Sequence, residues 1–167
     1  TLRADHLPAY GYRGVATPAI DALRADGILY RNAWSHCPMT LPSHVSLLTG
    51  KLPYEHGVRN NIGYRFDADR HDSIPAMLRR DGYATGAAVS AYVMRAGTGL
   101  GQSFDFYEDR GDPSRAGAET LAAATPWISE RATTPFFFLL HLFEPHSPYD
   151  AAEPQHVAGC RLDLADD

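Results

Sequence analysis

The chain has 167 residues, of which 44% are hydrophobic and 21% charged, and its formal net charge is −5. This composition, with 7 Phe, 9 Tyr and 2 Trp, excludes disorder over most of the length and provides enough apolar content for one folded domain. The longest apolar run, residues 136–140, is too short for the roughly 20 residues that cross a bilayer, so no membrane segment is predicted. The mild acidity and scattered Arg and Lys exclude a nucleic-acid partner. Cys37 and Cys160 are predicted to be free. Without a predicted disulfide, the cysteines do not indicate a redox compartment, and the localisation stays unknown.

The first half of the chain predicts three helices and one strand. Thr17 is placed to cap the first helix, Pro18 fits its first position, and Gly27 ends it. The apolar and aromatic segment 28–34 is predicted to follow as a strand. Two further helices are predicted, one from Pro42 to Gly50 and one from Asp72 or Ser73 to Gly82.

The second half of the chain predicts two buried strands separated by a helix. Residues 83–90 are small and apolar, and residues 136–142 form the strongest strand pattern in the chain. The helix between them, residues 116–128, contains Pro126, which should kink it or end it early. Helices that alternate with buried strands indicate an α/β fold with a parallel sheet covered on both sides. The pattern dissolves after residue 150, which predicts an irregular tail over residues 151–167.

The segment TLPSHVSLLTG at residues 40–50 carries the most chemical information. A hydroxyl group, that of Thr40, stands immediately before a helix that starts at Pro42. Its oxygen would lie where the free backbone N–H groups and the positive end of the helix dipole point. Such a place stabilises an alkoxide and the anionic group that it attacks. The alternative is that Thr40 only caps the helix.

This segment also resembles the sulfatase signature Cys/Ser-x-Pro-Ser-Arg-x4-Thr-Gly, with Thr40 in the place of the nucleophile. Further segments match the same family in the same order, namely TLRADHL, YGY and TPAID within residues 1–23, PYEHGVR at 53–59, GYAT at 82–85, FDFY at 104–107 and PFFFLLHLFEPHSPY at 135–149. The chain therefore resembles the N-terminal part of a sulfatase-family hydrolase of the alkaline phosphatase superfamily. The resemblance implies an incomplete alkaline-phosphatase-like three-layer α/β/α sandwich with a mostly parallel sheet. Residues 1–150 would form the N-terminal part of its catalytic domain.

The resemblance also implies roles for single residues. Thr40 would be the nucleophile and a metal ligand, and His146 would contact the anionic head of the substrate. In phosphonate monoester hydrolase-like members, an asparagine near Asn61 donates to the sulfuryl or phosphoryl oxygens. Two structural alternatives stay open, a loop-capping role for His146 and a turn role for Asn61 in the segment Asn-Asn-Ile-Gly.

Several residues depart from the family pattern, and the departures bear on the chemistry. A threonine cannot become the formylglycine of true sulfatases; it would form a covalent ester that water must cleave, which favours phosphoryl chemistry. His44 replaces the signature arginine and weakens the fixed positive charge. Ser90 and Tyr92 stand where arylsulfatases have lysine and histidine, and they are either hydrogen-bond donors to the substrate or ordinary strand-end packing. His141 is interpreted as a core histidine with satisfied hydrogen bonds.

The resemblance further implies a divalent metal, Ca²⁺, Mg²⁺ or Mn²⁺, held by oxygen ligands. Apart from Thr40, the family's ligands fall before residue 1, at Thr1, where arylsulfatases have a second aspartate, or beyond the end of the chain. We therefore expect a fragment with no tightly bound cation that is inactive alone, whose parent acts on a small-molecule sulfate or phosphate ester. Two other functions stay open, a non-catalytic remnant of the fold and a Thr-dependent phosphotransferase of the phosphoethanolamine type.

Overall fold

The computed structural model describes residues 2–110, 115–144 and 146–147. The chain divides into two compact units, one of Thr1–Trp34 with Glu144–Asp167 and one of Ser35–Phe143. The predicted tail at residues 151–167 lies outside the described residues. Within the described part of the chain, no helix has the length and apolar character needed to cross a membrane.

The first unit contains helix α1, Pro18–Asp26, which confirms the predicted helix. Two short 3₁₀ turns, Ala4–His6 and Pro8–Tyr10, precede it. The strand predicted for residues 28–34 is wrong, since these residues have no regular structure and the side chains of Ile28 and Trp34 are 82% and 85% exposed. The β propensity of such residues reflects packing in a sheet, and no described strand pairs with this segment.

The second unit is built on a three-stranded parallel sheet. Its strands are β1 (Ala84–Val89), β2 (Phe106–Glu108) and β3 (Phe136–His141), arranged in the order β2-β1-β3. Gly86 pairs with Phe106 on one side and with Phe138 on the other. Strands β1 and β3 confirm the prediction, whereas β2 was not predicted because three residues are too short to show an alternating pattern.

Helices cover both faces of this sheet. Alternation along β1 and β3 directs Val89 and Leu139 into the main apolar cluster, where they join Leu41 and Val45 of helix α2 (Thr40–Thr49). The alternate residues of the two strands, such as Phe138, point to the other face of the sheet, where they meet helix α5 (Gly117–Ser129). The rings of Trp127 and Phe138 lie 5.2 Å apart. The remaining helices are α3 (Pro53–His56) and α4 (Ile74–Arg80). The layering confirms the α/β fold.

Helix α2 starts at a different residue from the predicted one, and helix α5 does not end early at its proline. Helix α2 begins at Thr40 rather than at Pro42. Helix α5 continues through Pro126 to Ser129. Proline removes the one hydrogen bond that its own N–H would make, and this helix ends three residues later.

Candidate active site

Thr40 is the first residue of helix α2, and its side chain is half-buried. The residue at the N-cap is Met39, which has extended backbone angles of φ −107° and ψ 143° and makes no side-chain capping bond. The alternative in which Thr40 caps the helix is therefore wrong. Its hydroxyl is not used to close the helix end.

Asn61 closes that end instead. Its Oδ1 accepts a hydrogen bond of 2.8 Å from the backbone N–H of Leu41, the second residue of the helix. Such a bond satisfies one of the amides that a helix leaves unpaired at its start. The turn before it is held by Asn60, whose Oδ1 accepts the N–H of Asn61 at 2.7 Å. Asn61 therefore lies at the first turn of α2, and its Nδ2 has no acceptor among the residues that the structure describes.

The helix start offers fewer free amides than the sequence suggested. The N–H of Leu41 is bound to Asn61, Pro42 has no N–H, and the N–H of Ser43 donates to the Met39 carbonyl at 3.1 Å. The amide of Thr40 itself has no acceptor among the described residues. An anion bound here would thus depend on side chains as well as on the backbone.

Polar contacts hold α2 in place. Ser35 Oγ donates to the Cys37 carbonyl at 2.7 Å and lies 3.0 Å from Ser43 Oγ, which ties the preceding loop to the helix. Further along, Ser46 Oγ lies 3.0 Å from Nε2 of the buried His56. The position of Thr40 is therefore fixed from the loop before it and from the helix behind it.

His44 lies one turn after Thr40 and is bonded back to it. Its Nδ1 is 2.7 Å from the Thr40 carbonyl oxygen. Because a carbonyl only accepts, Nδ1 is the donor. Burial lowers the pKa of His44, and the bond to Thr40 partly opposes that effect. The side chain therefore gives the first turn a polar group without a permanent charge.

His141, the last residue of β3, packs against His44. The two ring centroids are 5.1 Å apart with the planes at 71°. Nδ1 of His141 is buried and has no hydrogen-bond partner among the described residues. Burial, with a smaller contribution from His44, lowers the pKa of His141 to about 4. The interpretation of His141 as a satisfied core histidine is therefore wrong. Its place at the carboxyl end of a parallel strand was the available signal, because α/β proteins bind ligands there.

Ser90 and Tyr92 lie in different surroundings. The Ser90 hydroxyl is buried and lies 2.7 Å from Thr120 Oγ1 of helix α5, which also accepts a bond from Nε of Arg115. The prediction that Ser90 contacts the substrate finds no support in this geometry. Tyr92 is exposed in a 3₁₀ turn, Tyr92–Met94, and the Arg95 guanidinium carbon lies 3.8 Å from its ring centroid. Sequence reasoning missed this cation, since Arg95 falls outside the compared positions.

His146 belongs to the first compact unit, and the other predicted residues belong to the second. It is exposed, and its Nδ1 lies 2.7 Å from the Ser147 carbonyl oxygen. Thr40, His44 and Asn61 are brought together at the first turn of α2.

A metal site requires several ligating groups at one place. Among the described residues, no group of three or more His, Cys, Asp or Glu side chains is arranged to hold a metal ion. The hydroxyl of Thr40, the predicted ligand, would supply one oxygen, whereas Ca²⁺ takes six to eight oxygen ligands and Mg²⁺ six. These residues by themselves therefore do not form a complete divalent-cation site.

Comparison with known proteins agrees with this fold. The family described as Sulfatase matches residues 1–159. Human N-sulphoglucosamine sulphohydrolase is 27% identical over 91% of this chain and 31% of its own length. An ulvan-active sulfatase of Formosa agariphila is 38% identical over 50% of this chain and 16% of its own length. The chain thus spans a third or less of these relatives.

Two solved structures share the fold at a TM-score of 0.73 and 22% identity. One is described as a complex with its substrate D-glucosamine-2-N,6-O-disulfate, and the match covers 86% of this chain and 32% of that one. The other is a phosphonate monoester hydrolase of Agrobacterium radiobacter, matched over 91% of this chain and 40% of that one. The ordered motifs, the layered parallel sheet and the family match over nearly the whole chain lead to one conclusion: the chain belongs to the sulfatase family.

Proposed function

We propose that the protein hydrolyses sulfuric or phosphoric esters, with Thr40 as the nucleophile. The observation that carries this proposal is the geometry at the start of α2. The Thr40 hydroxyl makes no capping bond there, and the cap comes from Asn61, 2.8 Å from the Leu41 amide. A hydroxyl held at a fixed helix start is suited to attack an anionic group bound at the same point.

The proposed reaction has two steps. Thr40 Oγ1 forms a bond to sulfur or phosphorus while the bond to the ester oxygen breaks, and the proton of the threonine hydroxyl ends on the departing alcohol. Water then cleaves the threonine ester, which releases sulfate or phosphate and restores the hydroxyl. In-line geometry requires the leaving oxygen to lie opposite Thr40.

The other groups bind and orient the ester. Nδ2 of Asn61 is available to donate to a nonbridging oxygen, because its Oδ1 is held by the Leu41 amide. His44, Tyr92 and His146 are proposed as further contacts of the substrate. Thr40 would also be one ligand of a divalent cation, Ca²⁺, Mg²⁺ or Mn²⁺, which when bound would lower the pKa of the hydroxyl.

Both sulfur and phosphorus are compatible with the proposal, each for a different reason. Threonine cannot form the aldehyde that lets sulfate leave without a second attack, and this favours phosphorus. Human N-sulphoglucosamine sulphohydrolase and the enzyme solved with a sulfated glucosamine as its substrate favour sulfur, whereas the phosphonate monoester hydrolase favours phosphorus. We propose a small sulfate or phosphate ester and leave the choice of element to the assay.

Two variants of Thr40 test the proposal. We expect Thr40→Ala to abolish turnover of 4-nitrophenyl sulfate and phosphate in the intact protein, since it removes the attacking oxygen. Thr40→Ser retains that oxygen and should keep part of the activity. Mass spectrometry of a quenched reaction should find a sulfuryl or phosphoryl group on the peptide that contains residue 40. Retained activity in Thr40→Ala, with a circular dichroism spectrum like that of the unsubstituted protein, would refute the assignment.

A further inference from the structure

His56 joins helix α2 to the loop that carries Asn61. It is the last residue of the short helix α3, and its side chain is buried. Its Nε2 lies 3.0 Å from Ser46 Oγ on α2, and its Nδ1 lies 3.2 Å from the backbone nitrogen of Val58. The ring therefore bonds to the helix through one nitrogen and to the start of the loop through the other.

The bond to Val58 determines which nitrogen of this ring carries the proton. A backbone N–H can only donate, so Nδ1 of His56 is the acceptor and carries no proton. In the neutral ring the proton is then on Nε2, which donates to Ser46 Oγ. Burial of His56 lowers its pKa and so favours the neutral form. The Ser46 bond thus keeps Nδ1 free to accept the Val58 amide.

The turn that follows His56 leads to the cap of α2. A side-chain acceptor that binds the N–H two residues later forms the same ring as an Asx turn, which fixes the direction of the chain. Gly57 allows this turn with a left-handed φ of 80°, and Val58 is buried in the main apolar cluster. Three residues further on, Asn61 Oδ1 accepts the Leu41 N–H at 2.8 Å. The approach of Asn61 to α2 therefore starts from the turn that His56 holds.

We propose that His56 is a positioning residue, which through its bond to Val58 holds Asn61 at the first turn of α2. This inference rests on the proposed ester hydrolysis, in which Nδ2 of Asn61 donates to the substrate. The acceptor of the turn is buried, and its ring is anchored on the same helix that carries Thr40. The placement of the amide donor relative to the attacking hydroxyl thus depends on a residue that takes no part in the reaction itself.

Hydrogen exchange of single amides tests this positioning without any turnover. The Leu41 amide is protected by Asn61 Oδ1, whereas the Gly50 amide, just after the other end of α2, donates to the Ser46 carbonyl at 2.9 Å. In His56→Leu, we expect exchange to become about tenfold faster at Leu41 and to change less than about twofold at Gly50. Equal acceleration at both amides would show that His56 only stabilises the helix. Unchanged exchange at Leu41 would also overturn the inference.

His56→Asn is the matched variant. The Oδ1 of an asparagine can accept the N–H two residues later, as Nδ1 of the histidine does, but its shorter side chain lacks the donor that binds Ser46. We therefore expect His56→Asn to restore most of the protection at Leu41. If its Leu41 amide exchanges as fast as that of His56→Leu, the bond to Val58 does not position Asn61.

Nitrogen NMR of the unsubstituted, ¹⁵N-labelled chain at neutral pH tests the bond itself and needs no variant that could misfold. We expect Nε2 of His56 to be protonated and Nδ1 to be unprotonated. A ¹⁵N–¹⁵N coupling between Nδ1 and the Val58 amide should be detectable across the hydrogen bond. A proton on Nδ1 would overturn the inference, because that nitrogen could not then accept the amide.

A double-mutant cycle connects the positioning to the reaction. In the intact protein, we expect His56→Leu to lower kcat/KM for 4-nitrophenyl sulfate or phosphate about tenfold, with most of the loss restored in His56→Asn. In the Asn61→Ala background, which lacks the amide donor, the same His56→Leu change should lower kcat/KM by less than about twofold. Equal losses in the two backgrounds would show that His56 does not act through Asn61.

Failure of the proposed function can be distinguished from failure of this inference. If the intact protein cleaves neither ester, ester hydrolysis is refuted, and exchange at Leu41 still decides whether His56 positions Asn61. If the protein cleaves an ester but exchange at Leu41 does not respond to His56→Leu, the hydrolysis stands and the positioning role is refuted.

Discussion

At the scale of single residues, Asn61 caps a helix with one side-chain atom and is proposed to bind the substrate with another. Oδ1 caps α2 through the Leu41 amide at 2.8 Å, and Nδ2 is the group proposed to meet the substrate. The turn position of this residue was visible in the sequence. The helix that it caps was not, because the two segments are distant in the chain and meet only in the fold.

Two substitutions at this position should therefore behave differently. Asn61→Ala removes the cap and should lower the free energy of unfolding by about 1 kcal/mol, with a loss of turnover. Asn61→Asp keeps the acceptor and adds a favourable charge at a helix N-terminus, so stability should be equal or higher. Its turnover should still fall, because the donor is lost and a negative charge faces the anion. Urea denaturation measures the change in stability, and ester hydrolysis measures the change in turnover. An Asn61→Asp variant as active as the unsubstituted protein would contradict the role of Nδ2.

Ser90 has the surroundings of strand-end packing, the alternative that its sequence position left open. The hydroxyl is committed to Thr120 and the buried Arg115 network, which also includes a 3.0 Å bond from Arg115 to Glu108 Oε1. Such a network fixes the end of β1 against α5. The network therefore stabilises the end of β1, after which the turn that contains Tyr92 begins.

At the scale of elements, α2 is held by one apolar face. Leu48 is 3% exposed within the main cluster, whereas the adjacent Leu47 is 67% exposed. The period of the helix turns one side chain inward and the next outward. Packing of this face against β1 and β3 determines where Thr40 lies.

These neighbours form a matched pair for a stability measurement. Leu48→Ala should lower the free energy of unfolding by about 2–5 kcal/mol, since it removes buried methyl groups and leaves a cavity. Leu47→Ala, the control on the same helix, should change it by at most about 0.5 kcal/mol. Chemical denaturation monitored through tryptophan fluorescence measures both values. Similar values for the two variants would mean that α2 does not pack through this face.

The strands show why local pattern was informative for some elements and misleading for others. Strands β1 and β3 lie in the same sheet, with Ala87 opposite Leu139, and most of their residues are apolar. The segment 28–34 has similar apolar content but forms no strand. Composition alone does not distinguish them, because a strand also requires a neighbour with which to pair its backbone.

At the scale of the whole molecule, buried histidines should make the fold sensitive to acid. Burial lowers the pKa of His44 and His56, and lowers that of His141 to about 4. As the pH falls below the ordinary histidine value of about 6.5, the unfolded chain takes up protons before the folded chain does. Stability should therefore decrease between about pH 6.5 and 4.

Denaturation at pH 7.5 and 5.5 tests this dependence. We expect a lower midpoint at pH 5.5. The carboxylates of Asp5 and Asp72 have lowered pKa values because of their arginine partners, so their stabilising effect is lost only below their ordinary range and does not interfere. An equal or higher midpoint at pH 5.5 would contradict neutral burial of these histidines.

The sequence by itself determined the family, the α/β class, strands β1 and β3, and Thr40 as the residue of interest. These depend on local patterns, namely hydrophobic period and ordered motifs, which a single sequence carries. Only the tertiary structure decided that Asn61 caps the Thr40 helix, that Ser90 faces α5, and that His141 contacts His44 while its Nδ1 has no partner among the described residues. Each of these depends on contacts between residues far apart in the chain, and such contacts exist only once the sheet has brought its helices together.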